Sequence, residues 1–272
     1  MKLCVIGNSH VGMLRAAARD LGPDGPEITF FAKAGAGLDK ATIRGSVMAA
    51  NDPGLKAAQV RFGMPAEIDV SAFDAAIFVA GTASVYNALW ILKNFRVSGW
   101  PSDFAPSGKH NLAEPDTAQR ALVSEPAFIA ALADVARMGI SFRFAKTLRK
   151  ASAVPMFLVP QPFPSERVFD TGRPREFGFL QVRRGGDGVA LAAGLTRAIG
   201  QAFEEIGNVA ILYQPKDTTA YGFTTAHAYT RDAVRVDGHT PQHGEDLLHV
   251  GPAYGRRVLD RVTNSLQCAP TP

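Results

Sequence analysis

The chain has 272 residues, 46% of them apolar, and a formal net charge of +4. This length suits one α/β unit spanning 1–272, and so large an apolar share excludes a disordered chain. The positive excess is dispersed rather than blocked, which argues against a nucleic-acid surface, and no apolar run reaches the roughly 18 residues of a membrane span.

Residues 2–6 are the first of five short, nearly continuous apolar runs; the others are 28–32, 75–80, 154–160 and 209–213. Unbroken runs, rather than alternating ones, are expected of strands buried on both faces of a parallel sheet. The apolar N-terminal stretch is too short for a signal peptide and leads directly into a strand, so a cytoplasmic protein is expected. After the first run, Leu14, Ala17, Ala18 and Leu21 recur at helical spacing until Gly22-Pro23. Phe128, Ile129, Leu132, Val135 and Ala136 mark a second amphipathic helix. Leu195, Ile199, Phe203 and Ile206 mark a third, ended by Gly207-Asn208. Val258, Val262 and Leu266 mark the last, opened by Gly251-Pro252. Strands alternating with helices predict a three-layer α/β/α fold of about five parallel strands.

Two stretches break the alternation. Residues 85–125 hold Trp90, Trp100, Pro101, Pro106, Pro115 and His110, and are expected to form a cap or loop insertion; residues 161–188 are rich in Pro, Gly and Arg. Both follow strand ends, where α/β proteins carry ligand-binding loops. Trp90 and Trp100 read equally as an apolar wall or as packing within the cap. Gln161 reads as part of a strand-ending turn, and Arg183-Arg184 as a solvated loop rather than an anion site. Cys4, in the first strand, and Cys268, in the tail, make no disulfide framework.

Two segments carry the residue types of nucleophilic catalysis. Gly7-Asn8-Ser9-His10 follows the first strand and precedes a helix. Backbone N–H groups and the helix dipole there favour developing negative charge. The plain alternative is that Ser9 only caps the helix. The second segment is Asp246-Leu247-Leu248-His249, just before the last helix. An Asp three residues before a His can turn back to the ring, accept its Nδ1 proton and leave Nε2 as a base. His239, His243 and His249 with Asp237, Glu245 and Asp246 suggest metal ligands, but their spacing matches no known motif, so no metal is expected. His10 and His227 read as surface or rim residues.

Together these segments resemble the SGNH, or GDSL-like, hydrolase family. There the nucleophile lies in a Gly-Asp-Ser block after the first strand, and Asp-x-x-His precedes the last helix. The run His-Val-Gly-Pro-Ala-Tyr-Gly from His249 is also similar to the family's. The matching motifs cover about 20 residues. The resemblance implies a flavodoxin-like sheet of order 2-1-3-4-5 and a triad of Ser9, His249 and Asp246. It implies an oxyanion hole from the N–H groups of Ser9 and Gly35, with Gly37 as second choice. It also implies a serine esterase for small acyl esters, acetyl groups on carbohydrates among them, working without a cofactor, a nucleic acid or a membrane; no oligomeric state follows. An acyltransferase with the same triad and a degenerate binding protein are the alternatives.

The sequence departs from the family after the third strand, where Gly81-Thr82-Ala83-Ser84 stands in place of Gly-x-Asn-Asp. The side-chain oxyanion donor is therefore missing, a loss of about 2.7–4 kcal/mol in the transition state. The enzyme is then a weak esterase unless Ser84, Thr82 or Asn87 fills the hole, with Asn8, Gly81, Thr82 and Asn87 expected near the substrate. On this reading Ala83→Asn would restore the donor and raise kcat.

Overall fold

The five apolar runs become the five strands of one parallel sheet in the computed structural model, which describes residues 1–35, 37–104, 120–173 and 176–268. The strands are β1 (Lys2–Gly7), β2 (Glu27–Ala32), β3 (Ala75–Val79), β4 (Met156–Val159) and β5 (Val209–Ile211). Their spatial order is 2-1-3-4-5, and every neighbouring pair is parallel. Leu3 of β1 pairs with Ile28 on one side and Ala75 on the other, so β1 lies inside the sheet at the point where the order reverses. In open α/β sheets, that reversal at the carboxyl ends of the strands is where ligands bind.

Alternate residues of each strand enter different cores, which explains why the runs are continuous. Cys4, Ile6, Phe31, Phe78 and Leu158 belong to one buried cluster; Leu3, Val5, Ala32, Ile77 and Val159 belong to another. Full burial of one such Leu, Ile or Phe contributes about 1.5–3 kcal/mol. Helices α1 (Val11–Arg19) and α8 (Pro252–Gln267) supply the second cluster. The first is covered by α3 (Val85–Leu92), α4 (Glu125–Met138), α5 (Ile140–Arg149) and α7 (Gly188–Glu204). Helices thus lie on both faces. Gly255 marks the closest approach of α8 to α1, since a Cβ there would sit 2.2 Å from the Met13 carbonyl oxygen. Among the described residues no helix is long and apolar enough to cross a membrane.

Several elements were not expected. Helix α2 (Pro53–Arg61) buries only Leu55 and Gln59, so it shows no apolar stripe; its start is set by Asp52, whose side chain accepts from the Leu55 N–H at 2.9 Å. A three-stranded antiparallel sheet joins Thr42–Arg44, Val47–Ala49 and Glu67–Asp69. The 85–125 stretch opens as α3, with Val85, Ala88 and Leu92 buried in the core, rather than as a cap. Its run is apolar on nearly every side, which hid the helical period. Farther on, Phe95–Val97 pairs in parallel with Ala121–Val123. Trp100 is 3% exposed and packs edge-on against Phe128, whereas Trp90 is 72% exposed. Pro106, His110 and Pro115 lie outside the described residues. The 161–188 stretch holds α6 (Phe177–Gly185), where the Arg183 guanidinium lies 4.0 Å from the Tyr221 ring centroid and 4.6 Å from that of Phe169.

Candidate active site

Ser9 is placed by the turn from β1 into α1. A Cβ on Gly7 would meet the Val79 carbonyl oxygen at 2.7 Å and a Val11 methyl at 2.8 Å, so only glycine fits where β1, β3 and α1 converge. The Asn8 side-chain oxygen accepts the His10 N–H at 3.1 Å, and the Asn8 and Ser9 carbonyls accept from Val11 and Gly12. His10, not Ser9, is the N-cap residue of α1. The Ser9 hydroxyl is engaged elsewhere: its Oγ lies 2.9 Å from His249 Nε2.

The segment bearing Asp246 and His249 straddles the sheet edge. Leu247 enters the core of one face and Val250 that of the other, while the Leu247 carbonyl accepts the Ser165 N–H at 2.8 Å. Immediately before Leu247 the Asp246 carboxylate folds back toward His249. It accepts the His249 N–H at 3.0 Å, and its two oxygens lie 3.0 and 3.1 Å from His249 Nδ1. Glu245, next to it, is ion-paired with Arg173. Burial alone would raise the Asp246 pKa, but hydrogen bonds and charge from His249, with the Leu248 N–H, outweigh it and hold the carboxyl below its usual 3.8. An ionised carboxylate only accepts hydrogen bonds. Nδ1 therefore carries the His249 proton, and Nε2 is free to accept from Ser9.

His10 is the residue that sequence reasoning misplaced. Read as a rim residue, it is 5% exposed, and its ring packs on His249 with centroids 4.7 Å apart at 31°. Burial, then the neighbouring His249, push its pKa from 6.5 down to about 3, against a smaller opposing effect of Asp246. It follows Asn8 and Ser9 in a polar turn, and only the tertiary fold reveals its burial. His227 is exposed, as expected.

The loops after β2 and β3 carry the other expected site residues. The Lys33 N–H donates to the Gly7 carbonyl at 3.2 Å, tying the start of the β2 loop to the end of β1. Gly35 is exposed with φ of 66°; Gly37 is buried with φ of 117°, and the Lys33 side chain fills the place of its absent Cβ. After β3, Ala80 and Gly81 both have positive φ, and their carbonyls accept from Ser141 Oγ–H (2.6 Å) and N–H (3.0 Å). Gly81 is therefore pressed against α5. The Ser84 N–H and hydroxyl both donate to Asn87 Oδ1, at 2.9 and 2.8 Å, which closes the start of α3. This pairing engages two of the three side chains named as replacements for the missing donor, Ser84 as donor and Asn87 through its oxygen. The Thr82 hydroxyl is buried with no hydrogen-bond partner. Ala83 is 1% exposed within the apolar core, so an asparagine there would bring an amide into that core. With Ala83 turned into the core, no gain from Ala83→Asn is expected.

Among the described residues, no group of three or more His, Cys, Asp or Glu side chains is placed to hold a metal ion. A cavity of about 420 Å³ is lined by Arg15, Arg19, Ile28, Phe30 and Met64 among others, but by none of the triad residues. What marks the site is the hydrogen-bonded line from Ser9 through His249 to Asp246. Fold and site together define an α/β protein with a serine–histidine–aspartate line at the carboxyl edge of its sheet. No protein-family model matches the chain, and no curated protein matches it significantly.

Proposed function

We propose that the chain is a serine esterase of the SGNH type, acting on small acyl esters such as acetyl groups on carbohydrates. The observation that carries this reading is the continuous line from Ser9 Oγ through His249 to Asp246, beside the reversal of strand order. On the same reading the two helical layers and the 2-1-3-4-5 sheet form the family's flavodoxin-like fold. The protein works in the cytoplasm, in keeping with two unpaired cysteines, Cys4 and Cys268.

Ser9 Oγ attacks the ester carbonyl while His249 Nε2 takes its proton. Asp246 keeps the imidazole in the required tautomer and stabilises the imidazolium. The N–H groups of Ser9 and of Gly35 or Gly37 receive the oxyanion. His249 then passes its proton to the departing alcohol. Water, deprotonated by His249, attacks the acyl-serine, and the proton returns to Ser9.

A second reading, binding without turnover, is favoured by one observation: the Ser84 hydroxyl and Asn87 Oδ1 are engaged with each other. Labelling by a fluorophosphonate separates the two. The esterase is labelled at Ser9, hydrolyses an aryl acetate, and loses both properties in Ser9→Ala and His249→Ala. A wild type that is neither labelled nor active sinks the esterase reading.

A further inference from the structure

We propose that His10 is a positioning residue whose ring forms a wall against the face of His249, holding the base in line between Asp246 and Ser9. The inference rests on the esterase reading above. Hydrogen bonds at Nδ1 and Nε2 fix the two ends of the His249 ring. They leave it free to rock about the axis joining them, and only contact with a ring face resists that motion. The His10 ring supplies such a contact, with centroids 4.7 Å apart and a tilt of 31°.

His10 is itself held. Its N–H donates to Asn8 Oδ1 at 3.1 Å, and its carbonyl accepts the Met13 N–H at 3.3 Å. Two residues on, Gly12 lies under the Val234 and Arg235 carbonyls, so close that a Cβ would come within 2.5 and 2.7 Å of them. His10 Nδ1 is buried without a hydrogen-bond partner. That nitrogen therefore does not anchor the ring. Burial also keeps the wall uncharged when His249 takes the serine proton, and an aromatic face attracts the cation that forms. Without the wall, rocking of His249 moves Nε2 off the Ser9 proton, and misplacement on the order of 1 Å costs roughly 100-fold in rate.

The test compares kcat and KM for an aryl acetate in wild type, His10→Ala, His10→Leu and His10→Phe, using the full chain. His10→Phe keeps a planar ring; His10→Leu fills the space without one and serves if His10→Ala fails to fold. We expect kcat to fall about 10- to 100-fold in His10→Ala and His10→Leu with KM within about twofold. His10→Phe should stay within about threefold of wild type. Wild-type kcat in His10→Leu, a loss confined to KM, or a loss in His10→Phe equal to that in His10→Leu overturns the proposal. Fluorophosphonate labelling of wild-type Ser9 separates the two levels. With labelling and turnover present, such a result removes only the wall; with neither, the esterase reading fails and the wall falls with it.

Discussion

Acid should destabilise this protein through His10, and the size of the effect follows from its burial. The His10 imidazole goes from its ordinary 6.5 to about 3 in the folded chain, because burial, and then His249, disfavour its charged form. The unfolded chain therefore binds a proton between these two values that the native state refuses. Stability rises with pH wherever the unfolded state holds more protons. The His10 contribution is thus nearly complete at pH 7 and is lost as pH falls from about 6.5 toward 3. Between pH 7 and pH 5 the loss is about 2 kcal/mol, and it approaches roughly 5 kcal/mol at its limit. His10→Phe removes the titration while keeping a ring in place. Urea unfolding of both proteins at pH 7, 6 and 5 isolates the effect, because any constant change in stability cancels from the pH dependence. The wild type should lose about 2 kcal/mol more than His10→Phe over this range. Parallel losses in the two proteins would show that His10 is not buried neutral beside His249, and the account would be wrong.

Four further outcomes are expected. Asp246→Asn should lower kcat for an aryl acetate by roughly 10²- to 10⁴-fold with KM little changed, because the amide cannot hold the His249 tautomer; a variant at wild-type rate would remove Asp246 from the triad. The depressed Asp246 carboxyl stabilises the fold above its usual 3.8, and that contribution is lost as pH falls through its lower native value, so acid unfolding near and below pH 3.8 should be less steep in Asp246→Asn. Ala83→Asn should lower stability by about 1–3 kcal/mol without raising kcat, whereas Ser84→Ala should cost about 0.5–2 kcal/mol through the start of α3 and leave kcat near wild type; a faster Ala83→Asn enzyme, or a large kcat loss in Ser84→Ala, would mean that the β3 loop faces the substrate after all.

Much of the scaffold is legible in the residues because burial on both faces leaves a local trace. The five unbroken apolar runs predict five strands, and each lies within a residue or two of its observed place. The Asp-x-x-His spacing is equally local: the carboxylate reaches the ring from three residues away, through a turn that the same segment makes. Helix α2 shows the opposite case, since its one buried apolar side chain, Leu55, produces no period to read.

What the sequence by itself determined is therefore the five strands of the parallel sheet, four of the helices that cover it and the internal geometry of the Asp246–His249 pair, all governed by contacts a few residues apart. Only the tertiary structure decided the rest. Ser9 meets His249 across 240 residues. His10, polar and next to the serine, is buried against the ring of His249. Ser84 and Asn87 bond to each other, and Ala83 turns into the core. Each of these depends on which way a side chain points once distant segments close over it, and a pattern of spacings along the chain does not contain that direction.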